Sequence, residues 1–297
     1  MSQTIDKVAN NDKGAAVRKI AILGAGVMGT GLAQAFGEAA YRVTVIDNSE
    51  AALSRCRKDV ENNYRLQRLF GKGSATLGEA LNYLEFTSSC DALGGVEAII
   101  ENVTEIWEVK KKLHEAIREL YQSGTLVAIN TSVIPITRLA NVTKEPQFTV
   151  GMHFMNPVPL SAAVEVIRGY HSSAEAVERA VGLAQVIGKE AIIVNDFPGF
   201  VTNRVLMLTL NEAIWTVQDQ VAEPREVDRI FKLCFGHKMG PIETADLIGL
   251  DTVLLSLHEL YNNYHDSKFR PCPLLQKMVD AGLCGRKSGR GFYDYSS

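Results

Sequence analysis

In V-G-M-H-F-M-N-P (150–157) a histidine ends a short apolar run and a turn-forming Asn-Pro closes the segment. His153 is one of several polar side chains that fall where apolar runs stop. Asn130, Thr131 and Ser132 follow T-L-V-A-I, and Asn156 stands three residues beyond the histidine. Glu101 and Glu105 end or follow V-E-A-I-I-E, and Glu165 sits inside the alternating A-V-E-V-I. Each alone has a plain structural use, as a helix cap, a solvated strand residue or a core histidine. Together they fit the oxidation of an alcohol. That reaction removes a hydride from carbon and a proton from oxygen. The proton needs a base that titrates near neutrality, which favours imidazole. A carboxylate on the far ring nitrogen would fix the tautomer and stabilise the imidazolium.

The hydride needs an acceptor, and the N-terminal region supplies a place for one. Gly24, Gly26 and Gly29 form G-x-G-x-x-G, with Val27 and Met28 inside it, between the apolar run K-I-A-I-L and a helical pattern reaching about Ala40. The first glycine permits a tight turn, the second lets backbone approach a pyrophosphate, and the third lets helix and strand pack closely. The helix N-terminus then faces the phosphates. Asp47 closes the next strand pattern, R-V-T-V-I-D. A carboxylate there accepts hydrogen bonds from the adenosine ribose and repels a 2′-phosphate, so NAD is expected over NADP.

These residues need elements to hold them. Strand-like runs at 19–23, 42–47, 96–101, 125–130 and 148–153 alternate with helical patterns. That alternation predicts an α/β domain of Rossmann type, a doubly wound parallel sheet whose ligands sit beyond the strand ends. After I-I-V-N-D-F-P-G-F (192–200) strand signals stop, and 201–221, 224–235, 243–262 and 272–282 read as helices. Pro198 and Gly199 mark the boundary. The expected plan is a polar mobile tail over 1–16, an NAD-binding domain over 17–197 and an all-α C-terminal domain over 198–297.

Composition narrows the partners. The net charge of −3 comes with no basic stripe, which argues against nucleic acid. No apolar run is long enough for a membrane span. The five cysteines form no CxxC pair, so no metal site or disulfide framework is expected and the chain reads as cytoplasmic. The first 16 residues lack a secretory apolar core and do not resemble a transit peptide.

The chain resembles the 3-hydroxyacyl-CoA dehydrogenase family, including 3-hydroxybutyryl-CoA dehydrogenases, from about Lys19 to Tyr295. The resemblance is carried by G-A-G-V-M-G, E-x-W-E-V-K (105–110), N-T-S (130–132), G-M-H-F-M-N-P and V-E-V-I (164–167). It continues through D-x-P-G-F-V-x-N-R (196–204), M-G-P-I-E (239–243), D-L-I-G-L-D (246–251) and G-R-K-S-G-R-G-F-Y-D-Y (285–295). It implies His153 as general base with Glu165 as its partner, and Ser132 and Asn203 on the substrate's 3-oxygen and thioester region, with Asn156 close by. Glu105 and Lys110 would meet the nicotinamide side of NAD, near Asn130. The helical domain would carry a homodimer interface. The helix over about 49–70 would meet the nucleotide end of coenzyme A, through Arg65 and Arg68 in this chain.

Departures from the family pattern gather near the substrate. Val133 replaces a second serine, Met155 interrupts H-F-F-N-P, and Ser161, Ala162 and Ala163 stand where Met-Lys-Leu is usual. Ile129 replaces a small residue, Asn102 an alanine, and Phe70 falls near an expected lysine. The first expectation is a short-chain 3-hydroxyacyl-CoA substrate, as in fatty acid metabolism. An alternative is a hydroxyacyl group on an acyl carrier protein in polyketide extender-unit biosynthesis. Weaker alternatives are a free sugar acid and a non-catalytic structural role. The lysine-dependent hydroxyacid dehydrogenases are a poor match, because G-x-x-N-x-x-x-K is absent.

Overall fold

A computed structural model of the chain describes residues 18–69 and 81–296, with side chains throughout except at 66–69. The tail expected over 1–16 lies outside the described residues. Eight strands form one sheet: β1 Lys19–Leu23, β2 Arg42–Ile46, β3 Leu84–Thr87, β4 Ala98–Glu101, β5 Leu126–Ile129, β6 Thr149–Phe154, β7 Ala163–Arg168 and β8 Glu190–Asn195. Their order is β3-β2-β1-β4-β5-β6-β7-β8. The chain leaves β1 toward β2 on one side and returns to β4 on the other, which opens a crevice beyond the end of β1. The central strands β4 and β5 are buried at every position, so A-I-I-E and L-V-A-I read as continuous apolar runs. Helices α1 Val27–Glu38, α2 Glu50–Leu69, α3 Trp107–Ile117, α4 Ile136–Ala140 and α5 Ala174–Val186 flank the sheet. They close two apolar cores, one on each face.

The sheet departs from the expected all-parallel arrangement at β7, which runs antiparallel to β6, while β8 runs parallel to β7. Residues 155–162 are too short a link for a parallel crossover, which takes about a dozen residues or more. The reversal matters for chemistry, because it places His153 directly opposite Glu165 in the ladder. Directly opposed residues of an antiparallel pair share a face, with Cβ atoms about 4.5–5.5 Å apart.

The helical domain comprises α6 Thr202–Gln218, α7 Pro224–Phe235, α8 Pro241–Ile248, α9 Leu250–Tyr264 and α10 Pro273–Asp280 around a third core. Three of these helices begin with proline, whose missing N–H costs nothing in the first turn. The single helix expected over 243–262 is two helices. Gly249 between them has φ +102, a conformation that breaks the helix and turns α9 away from α8. Asp246 accepts the backbone N–H groups of Phe292 and Tyr293 and the Tyr295 hydroxyl, pinning G-F-Y-D-Y to α8.

Candidate active site

The glycine loop has the geometry of a phosphate cradle. Gly24 has φ +96 and donates its N–H to Ile46 O at 2.8 Å. A Cβ at Gly29 would stand 1.9 Å from the Gly24 carbonyl, whereas one at Gly26 would meet no protein atom within 4 Å. Gly26 therefore leaves space on the cleft side that a ligand can use. No side chain caps the N-terminus of α1, so its first N–H groups remain available. Asp47, one residue past β2, accepts from Ala25 N at 2.8 Å and from Ser49 N at 2.9 Å. Its carboxylate is held beside the loop and lines the same cavity of about 980 Å³ as Gly24, Gly26 and Val27. The cradle, the uncapped helix and the fixed carboxylate fit a dinucleotide.

A second cavity of about 1110 Å³ adjoins the first, and Asn102, Val103, Asn156 and Pro157 line both. Met28, Glu105, Asn130, Ser132, His153 and Asn203 border the second, with α8 and α9 forming the far wall. His153 Nδ1 lies 2.8 Å from Glu165 Oε2, and its Nε2 lies 3.2 Å from Ser132 Oγ. Both His153 and Glu165 are only 6% exposed. Burial pushes the Glu165 carboxyl upward, but hydrogen bonds from His153 and Thr202 outweigh it and hold the group below the usual carboxylate range. An ionised Glu165 accepts a hydrogen bond from Nδ1–H, which leaves Nε2 as the acceptor facing Ser132.

Glu165 reaches further than its histidine. Its Oε1 accepts the N–H groups of Val201 at 3.2 Å and Thr202 at 3.0 Å, at the start of α6. The next residue, Asn203, donates Nδ2 to the Ser132 carbonyl at 3.0 Å. One carboxylate thus ties His153 to the helix that brings Asn203 over from the second domain.

The Ser132 loop is fixed from the other side by Glu105. Its Oε1 accepts Ser132 N at 2.9 Å, Val133 N at 3.1 Å and the Thr131 hydroxyl. Lys110, expected at the nicotinamide, lines neither cavity. Its fully buried ammonium sits 2.8 Å from Glu101 and 3.6 Å from Glu105 Oε2. Its long side chain on α3 turns inward, because Glu101 at the end of β4 is a buried carboxylate that needs a cation. Asn130 likewise braces strand ends, accepting from Phe154 N and donating to Asn102 Oδ1. Arg65 is exposed on α2 and lines neither cavity, and the Arg68 side chain lies outside the described residues. Ala52, Arg55, Asp59, Asn62 and Asn63 of α2 border the first cavity instead.

The bonding roles of three contributors carried no signal in the sequence. Thr131 and Thr202 act partly through backbone placement. Asp196 caps α4 by accepting Ile136 N, Thr137 N and the Thr137 hydroxyl, which secures the segment after Ser132. Its place in D-x-P-G-F-V-x-N-R is visible in the sequence, but the groups it caps are not. Among the described residues no cluster could hold a metal ion, and no helix is long and apolar enough to cross a membrane.

Residues 19–197 match the model for the 3-hydroxyacyl-CoA dehydrogenase NAD-binding domain, and residues 199–295 match that for the 3-hydroxyacyl-CoA dehydrogenase C-terminal domain. The chain belongs to the 3-hydroxyacyl-CoA dehydrogenase family. It is 43% identical over 286 residues to a probable 3-hydroxybutyryl-CoA dehydrogenase of Bacillus subtilis, covering 94% of this chain and 98% of that one. The mitochondrial hydroxyacyl-coenzyme A dehydrogenase of Sus scrofa is 31% identical over 289 residues, covering 94% and 91%. The crystal structure of (S)-3-hydroxybutyryl-CoA dehydrogenase from Ralstonia eutropha superposes with a TM-score of 0.91 at 38% identity, covering 95% of this chain and all of that one (100%). As a member of this family the chain is an NAD-dependent oxidoreductase.

Proposed function

We propose that this dehydrogenase oxidises the hydroxyl of a short-chain 3-hydroxyacyl-CoA to the 3-ketone, and runs in reverse on the ketone. The observation that carries the reading is the Glu165–His153–Ser132 chain of contacts, which leads to a cavity that shares a wall with the dinucleotide cradle. The substrate's 3-hydroxyl lies between Ser132 Oγ and His153 Nε2. His153 takes the hydroxyl proton at Nε2 as the C3–H bond breaks and the carbonyl forms. NAD, when bound, supplies the hydride acceptor. Glu165 holds Nδ1–H and stabilises the imidazolium through its charge. Ser132 donates to the developing ketone oxygen, and Asn203 fixes Ser132 through its carbonyl. Asn156, on the wall between the cavities, faces the thioester. Glu105 acts by positioning the Ser132 loop.

Relatives named for coenzyme A thioesters support coenzyme A as the carrier, and none of those named above is described by a carrier-protein substrate. Homodimerisation through the helical domain is supported by Ile230, Leu233 and Phe235, apolar side chains that α7 exposes. A cytoplasmic location is supported by the unpaired state of all five cysteines. The test is NADH formation on adding (S)-3-hydroxybutyryl-CoA and NAD, with free 3-hydroxybutyrate and NADP as controls. Turnover of the thioester with NAD alone is expected. Absence of NADH with the thioester contradicts the reading.

A further inference from the structure

The second cavity is larger than a four-carbon acyl group needs. At about 1110 Å³ it lies just above the range of pockets that hold drug-sized ligands, roughly 300–1,000 Å³. Its lining beyond Ser132 is mostly apolar, including Ile106, Val133 and Leu247, and Arg138 is the one arginine or lysine among its lining residues. Arg138 of α4 stacks on Trp107 at the start of α3, with its guanidinium carbon 3.8 Å from the ring centroid. Both side chains line the cavity. Among the described residues Arg138 has no carboxylate within ion-pair reach, although other surface arginines such as Arg118 and Arg179 do. A guanidinium over an indole face makes no hydrogen bond to the ring, and its N–H groups suit a carboxylate bound by two parallel hydrogen bonds.

The other charged groups on this cavity set the contrast. Glu105 is engaged by the Ser132 loop and faces Lys110. His153 is committed to Glu165 and Ser132. Glu259 of α9 lines the opposite, helical wall. An acyl chain ending in an anion therefore has a favourable terminus on the sheet side and an unfavourable one on the helical side.

We propose that Arg138, braced on Trp107, determines specificity by reading a carboxylate at the far end of the acyl group. The substrates then include 3-hydroxyacyl-CoA thioesters that carry a terminal carboxyl. The inference rests on the dehydrogenase reading given above and narrows its substrate. The test compares kcat/KM for two six-carbon thioesters, 3-hydroxyhexanoyl-CoA and its counterpart with a terminal carboxyl. The wild-type protein is expected to favour the carboxyl-bearing thioester. In Arg138→Gln the ratio of the two values falls by roughly 10–100-fold, mainly through KM, the range for a lost charge-assisted pair. Arg138→Lys recovers part of the ratio, because the charge stays and the planar fork is lost. Glu259→Gln raises the ratio. No preference in the wild type overturns the inference. So does an equal loss on both thioesters in Arg138→Gln, which would assign Arg138 to the coenzyme A phosphates or to the fold. If 3-hydroxybutyryl-CoA also gives no NADH, the dehydrogenase reading falls and this inference with it. Turnover of that thioester without a carboxylate preference defeats this inference alone.

Discussion

Glu165→Gln separates the two duties of one carboxylate. Three N–H groups converge on it: His153 Nδ1 at 2.8 Å, Val201 N at 3.2 Å and Thr202 N at 3.0 Å. A glutamine offers one oxygen and one NH₂. If the oxygen serves the two backbone donors, the NH₂ meets His153 Nδ1 and drives its proton to Nε2, so the base faces the substrate already protonated. If the oxygen serves His153, the two N–H groups at the start of α6 face a donor, and Asn203 loses its anchor. The first arrangement corresponds to the wrong tautomer, which in a serine protease costs about 10⁴ in kcat. The second leaves buried donors unpaired at about 1–3 kcal/mol each. Expected outcomes are a fall in kcat of roughly 10³-fold or more and a loss of about 1–3 kcal/mol in unfolding free energy. Glu165 lines neither cavity, so NAD affinity should stay within about twofold, since pocket contacts set binding. Steady-state NADH formation, denaturant unfolding and NAD titration read these quantities. A folded variant whose kcat stays within about threefold of wild type would refute the reasoning, because general-base effects run to 10²–10⁴.

Three further outcomes follow from the geometry. Lys110→Met leaves Glu101 buried without its cation and should lower unfolding free energy by about 3–5 kcal/mol, read by denaturant melts. Asp47→Ala removes the carboxylate beside the glycine loop, and NAD titration should show weaker binding by about tenfold, with the preference over NADP reduced. The Glu165 carboxyl lies below its unfolded value, so it adds stability above the usual carboxylate range and loses it as pH falls through the lowered value. The gap in unfolding free energy between wild type and Glu165→Gln should therefore narrow on acidification below the usual carboxylate range.

Much of this was legible in the sequence. G-x-G-x-x-G between an apolar strand and a helix carries its own mechanism, and Asp47 follows from the next strand. His153 and Glu165 were legible as residue types on neighbouring segments, but not as a directly opposed pair, because strand direction depends on what the 155–162 link can span. Lys110 shows the main limit. An E-x-W-E-V-K pattern reveals that a lysine is present but not which way it turns. Here the buried Glu101 draws it inward, away from the cleft. Gly249 was visible as a residue inside a helical pattern, yet the break it makes depends on its positive φ. Arg138 and Trp107 lie far apart in sequence and meet only because α3 and α4 leave adjacent strands of the sheet.

The central claim is that His153 carries the proton, and kcat of His153→Gln tests it most directly, with NAD binding measured on the same sample. A fall of about 10²–10⁴-fold in kcat, with NAD affinity retained, is the predicted result. Turnover close to wild type in that variant would contradict the account.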